Sequence, residues 1–133
     1  MKILFIGDQN AVIKQCASQL RWKGYQVILH NDVMDGLREV SVFGVSCIVW
    51  DVPNNDPGRL RKLNAIKRYH RFTPLLLISS SKEGFATELD ANTYFLESVV
   101  ESRELYEQII QLVGTPSIYN KNMDVEEELE TME

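Results

Sequence analysis

The stretch 45–58, VSCIVWDVPNNDPG, constrains this chain more than any other. Cys47, Ile48, Val49 and Trp50 form a short apolar run of strand-favouring residues, and Asp51 follows with no polar residue between. A carboxylate therefore stands where a buried strand ends. Pro53, Asn54, Asn55, Asp56, Pro57 and Gly58 come next, all strong turn formers, so the chain must leave the sheet there. In an open parallel sheet, ligands and chemistry collect beyond the carboxyl ends of the strands. Asp51 is thus the first candidate functional residue, against the plainer alternative of a turn aspartate that accepts backbone hydrogen bonds.

The rest of the chain repeats this pattern. Residues 3–6 form an apolar run stopped by Gly7, Asp8, Gln9 and Asn10; Asn10 can cap the helix that follows, whose apolar face is Ile13, Cys16, Ala17 and Leu20, with Gly24 at its end. A second strand over 25–29 leads through Asn31 and Asp32 to a short helix marked by Met34, Leu37 and Val40, ended by Gly44. After the Asp51 turn, Leu60, Leu63, Ile66 and Tyr69 recur at helical spacing from Arg59 to His70, and 75–78 reads as a fully buried strand closed by Ser79, Ser80 and Ser81. Residues 82–89 allow two turns of helix at most, weakened by Gly84, before a fifth strand at Tyr94, Phe95 and Leu96. Ser98 and Glu101 fit a capping box for a last helix with Leu105, Ile109, Leu112 and Val113 on its face, stopped by Gly114, Thr115 and Pro116. Five buried strands alternating with helices predict an α/β fold, a doubly wound parallel sheet covered on both faces, with a flavodoxin-like arrangement as the best match.

Length sets one domain, expected over 1–114, with a polar linker and acidic tail over 115–133. A formal charge of −5 argues against wholesale nucleic-acid binding. Cys16 and Cys47 lie in apolar patterns without metal-type spacing and read as free core thiols, which favours a reducing cytoplasm; no apolar run is long enough for a signal peptide or a membrane span. His30 and His70 read as ordinary surface histidines. Charge is distributed unevenly: Arg59, Arg61, Lys62, Lys67, Arg68 and Arg71 occur with no acidic residue from Gly58 to Ser81, while the end of the chain is DVEEELETME. The basic helix can present an anionic partner surface, this chain's own acidic end being one candidate occupant, or simply a solvated face. In that acidic end Asp124 and Glu127 form a capping box and Val125, Leu129 and Met132 share a helical face, but about ten residues need packing to stay helical in water.

Four places carry a family resemblance: Ile3-Leu4-Phe5-Ile6-Gly7-Asp8, Trp50-Asp51, Ile78-Ser79-Ser80, and Asn92-Thr93-Tyr94-Phe95-Leu96, the last continuing towards Arg103-Glu104-Leu105. In this order and spacing the chain resembles the receiver domain of bacterial two-component response regulators, which implies a flavodoxin-like five-stranded parallel sheet with strand order 2-1-3-4-5. The resemblance implies Asp51 as the phospho-acceptor position, Ser79 and Tyr94 as the switch positions, and Asp8 with Asp51 as ligands of at most a weak magnesium site. It also marks departures. Receivers usually carry two adjacent acids after the first strand, where this chain has Gly7-Asp8. The family's lysine falls on Glu97, or on Ser98 if the gap is set against the last helix, and the proline after it is absent. An anion in place of that cation would repel an arriving phosphoryl group, at a cost of about 2 to 5 kcal/mol if buried. The turn after Asp51 is one residue short for the family, and the segment between Ser79 and Tyr94, which would hold its fourth helix, is also short.

These departures predict a pseudo-receiver, a protein-protein interaction module of two-component-type signal transduction that needs no cofactor and does not use aspartyl phosphorylation. The alternative is a working switch phosphorylated on Asp51 with magnesium. An enzyme or flavin-binding domain fits less well, since no glycine-rich phosphate loop or catalytic His or Cys constellation is visible. A protein partner is expected at the basic helix or at the face formed by the fourth helix, fifth strand and last helix. Neither a membrane nor direct DNA binding is expected, DNA entering only through an output domain outside this sequence; a homodimer is left open.

Overall fold

The computed structural model describes residues 1–40, 44–53, 56–80, 92–97 and 101–116. The expected helix over 82–89, the cap at Ser98 and the acidic segment 124–133 lie outside the described residues. Strands β1 (Lys2–Ile6), β2 (Gln26–His30), β3 (Cys47–Asp51), β4 (Leu75–Ser79) and β5 (Thr93–Glu97) alternate with helices α1 (Ala11–Trp22), α2 (Val33–Glu39) and α3 (Arg59–Tyr69), and α4 (Ser102–Val113) follows β5. All neighbouring strands pair in parallel, in the order β2-β1-β3-β4-β5, as expected.

Side chains alternate across each strand, so one continuous apolar run serves two cores. Ile3, Phe5, Cys47, Val49, Leu76 and Ile78 pack on one face with α1 and α4, among them Cys16, Leu20, Leu105 and Ile109. Leu4, Ile6, Ile48, Trp50, Leu75 and Leu77 pack on the other, under α2 and α3, with Val33, Leu63 and Ile66. Both cysteines are free and buried, and burial pushes each thiol up to about 12, which leaves them protonated and inert.

Local chemistry explains the boundaries. The Asn10 side chain accepts from the Ile13 N–H at 3.0 Å and starts α1; Gly24, with φ of +100°, turns the chain out of it. Asp32 caps α2 by accepting from the N–H groups of Met34 and Asp35. Three sequence expectations change. The cap of α4 is Glu101, in extended backbone and with no side-chain hydrogen bond, where the expected capping box would set it as the third residue of the helix. Helix α2 ends well before Gly44, because Val40 takes an extended conformation that turns its β-branched side chain into the core. On α3 only Leu63 and Ile66 are buried; Leu60 and Tyr69 are exposed.

No helix among the described residues is long and apolar enough to cross a membrane.

Candidate functional site

The carboxyl edge of the sheet gathers most of the residues singled out above. At the end of β1 the chain turns through Gly7, with φ of +130°, its N–H donating to the His30 carbonyl at 2.8 Å. The register that sets Ile6 beside Trp50 brings Gly7 against the next residue, Asp51. A Cβ on Gly7 would lie 2.8 Å from the Asp51 carbonyl oxygen and 2.9 Å from its Cβ. Two backbones thus close onto each other where the resemblance places an acidic side chain. Gly7 is therefore required twice over, by its dihedral angle and by the space.

Asp51 ends β3, half-buried, and the following Val52 N–H donates to the Ile78 carbonyl at 2.8 Å. Burial, and then the charge of exposed Asp8, hold the Asp51 carboxyl above its ordinary value. A carboxyl raised in the folded state adds stability while it is protonated, below its unfolded value, and that stability is lost as pH rises through the folded value. Asp51→Asn is accordingly expected to stabilise the protein at neutral pH, on the order of 1 kcal/mol or less. The gain should vanish in acid, a difference that urea unfolding across the pH range would read.

Ser79 ends β4 and is buried, 3% exposed. Its register partner is Glu97, the exposed last residue of β5, so an anion does stand at this edge. Exposure screens it, which puts the repulsion at or below the lower end of the range expected for a buried site. Tyr94 is not at the edge: it pairs with Leu76 within the sheet, and its half-buried ring packs on the α1–α4 core. Structure thus brings Asp8, Asp51, Ser79 and Glu97 to one edge and sets Tyr94 back from it.

Among the described residues, the donor set is short of what a magnesium centre needs. Hard cations need several oxygen ligands, yet among the described residues no three His, Cys, Asp or Glu side chains are grouped to hold a metal. Gly7 has no room for a side chain that could add one. The turn beyond β3 is built by Asp56, whose side chain accepts from the Gly58 N–H at 2.9 Å and from Lys62 Nζ at 2.7 Å. Those contacts, led by Lys62, hold its carboxyl below the usual range.

One histidine departs from the surface reading and the other does not. His30 at the end of β2 pairs with Glu39 across the end of α2. His70, just after α3, is 3% exposed, and burial lowers its pKa, which keeps the imidazole neutral. Leu63, Ile66 and His70 stand at spacings of three and four, so a signal for its burial was present in the helical period. Of the basic residues, Lys62 is taken up by Asp56 and Arg71 lies 5.6 Å from the Phe72 ring centroid, while Arg61 and Arg68 are exposed on α3.

No family model matches the chain, and no curated protein does. Solved structures do match. A receiver domain from the hybrid histidine kinase CckA is 23% identical, with a TM-score of 0.66 over 85% of this chain and 99% of that one. A CheY-like receiver domain protein from Methanospirillum hungatei is 18% identical, with a TM-score of 0.70 over 91% of this chain and 97% of that one. A receiver protein from Sinorhizobium medicae is 17% identical, with a TM-score of 0.67 over 85% and 94%. The fold is that of these receiver domains.

Proposed function

We propose that the chain is an atypical receiver, a pseudo-receiver, which serves two-component-type signalling as a protein-protein interaction module and does not store phosphate on Asp51. The receiver fold supports the signalling context by likeness alone. The contact of Gly7 with the Asp51 backbone is the observation that carries the rest. It supports the view that the missing acid is built into the local backbone and is more than a side-chain exchange. With Asp8 and Asp51 as the candidate ligands among the described residues, little holds a cation against a dianionic phosphoryl group, and Glu97 adds charge of the wrong sign. Ser79 and Tyr94 would then be structural, a buried strand end and a core-packing ring.

Beryllofluoride with magnesium, which imitates an aspartyl phosphate, tests this reading by amide spectroscopy of wild type and Asp51→Asn. The expected result is no change at Asp8, Asp51, Ser79 or Tyr94 in either protein. Concerted shifts in wild type that Asp51→Asn abolishes would favour the phosphorylated switch.

A further inference from the structure

Exposed apolar side chains gather on the α2–α3 side of the molecule: Met34 at 40%, Leu60 at 41%, Tyr69 at 51% and Phe72 at 83%. Between the two helices lie two cavities that share Met34. One, of about 310 Å³, is lined by Leu37, Arg38, Val40, Tyr69 and His70; the other, of about 450 Å³, runs along Pro57, Arg61 and Ala65. Within the first, neither ring nitrogen of buried His70 has a hydrogen-bond partner among the described residues. A buried imidazole with an unused donor and acceptor is a costly arrangement unless a polar group arrives to meet it. Arg38, held by Asp35 at 2.9 Å, lines the first cavity, and Arg61 lines the second beside the Asp56–Lys62 pair; Arg61 continues with exposed Arg68 along α3, where the two line a further cavity of about 190 Å³. Apolar floor, unmet imidazole and arginine rim together describe a seat for an acidic segment with apolar side chains on one face.

The chain carries such a segment. Residues 124–133 hold six carboxylates and no basic residue, and Val125, Leu129 and Met132 recur at spacings of four and three. We propose that this segment docks in the groove between α2 and α3, its carboxylates on the arginine rim and its apolar face over Met34, Leu37 and Tyr69.

The topology allows the reach. In a parallel sheet every helix returns to the edge where the strands begin, so α3 and α4 end at the same edge on opposite faces. Tyr25, which opens onto β2, donates its hydroxyl to the Gly114 carbonyl and pins the end of α4 there. His70 lies at that edge too, since its loop leads directly into β4. Residues 117–123 supply seven links, which at about 3.3 Å each extend roughly 23 Å. Two layers at about 10 Å each separate the helices, a distance this tether spans. Such a tether gives an effective concentration on the order of millimolar, so weak intrinsic affinity suffices. Docking is independent of whether Asp51 takes phosphate.

The test uses the full chain with Thr131→Cys carrying a nitroxide; Cys16 and Cys47 are buried, so the label reaches the new thiol. Most of the amide intensity at Leu37, Val40, Tyr69 and His70 is expected to be lost. It should return in high salt and in Arg61→Glu/Arg68→Glu, whose exposed sites leave the fold intact, as the same spectrum checks. Mixing labelled chains with unlabelled, isotope-enriched chains should produce no broadening. Broadening in that mixture would make a second copy the occupant and overturn the intramolecular docking. Broadening that survives charge reversal, that falls on α1 and α4, or that is absent would overturn it as well.

Discussion

Gly7→Asp is expected to cost the protein about 2 to 5 kcal/mol of stability, although it restores the acid that the receiver resemblance calls for. Two penalties add. At φ of +130° any L side chain is strained. The new Cβ would also meet the Asp51 carbonyl oxygen at 2.8 Å, and that atom belongs to strand backbone that cannot swing aside. Since domains of this size hold only about 5 to 15 kcal/mol, the loss is a large share of the whole. Gly7→Ala, which brings the Cβ without the charge, should lose most of the same amount. Urea midpoints of the three proteins measure it. A Gly7→Asp protein as stable as wild type that also gained magnesium affinity would contradict the geometry at this edge.

Trp50→Ala should be comparably damaging, at about 3 to 5 kcal/mol. Trp50 is 1% exposed, the largest of the fully buried side chains, and packs in the core beneath α2 and α3 with Leu4, Ile48 and Leu63. Its removal leaves a void that a close-packed sheet can fill only in part. Trp50→Phe keeps most of the ring volume and should cost roughly 1 to 2 kcal/mol. Circular dichroism through a denaturant series reads both. Tryptophan emission gives a second signature, because Trp22 is 88% exposed. The Trp50→Ala spectrum should shift to the red, towards that of a hydrated indole, even where the protein remains folded.

The strands were legible because parallel strands buried on both faces leave unbroken apolar runs, and each expected run matches an observed strand to within a residue or two at either end. Strand order was a different matter: it came from the resemblance, as hydropathy does not say which strand lies beside which. Caps with a specific side-chain bond, Asn10 and Asp32, could be read directly, whereas the start of α4 at Glu101 has no such bond and was misplaced. On α3 the apolar spacing marked Leu60 and Tyr69 as core, yet both stand exposed while Leu63 and Ile66 between them are buried; the same spacing continued to His70, which residue type alone assigned to the surface. Gly7 could be read only as a carboxylate gone. Its close approach to Asp51 depends on two strands far apart in sequence, and no local pattern reports that.

The central proposal, that Asp51 occupies an acceptor position without accumulating phosphate, is tested most directly by intact mass. Wild type and Asp51→Asn would be incubated with magnesium and an excess of a small phosphodonor such as acetyl phosphate, then weighed by mass spectrometry over time. With Gly7 closing the space for a second acid and Glu97 at the edge beside Ser79, both proteins are expected to keep their unmodified mass throughout. A stoichiometric gain of one phosphoryl group in wild type, absent from Asp51→Asn, would contradict the pseudo-receiver account.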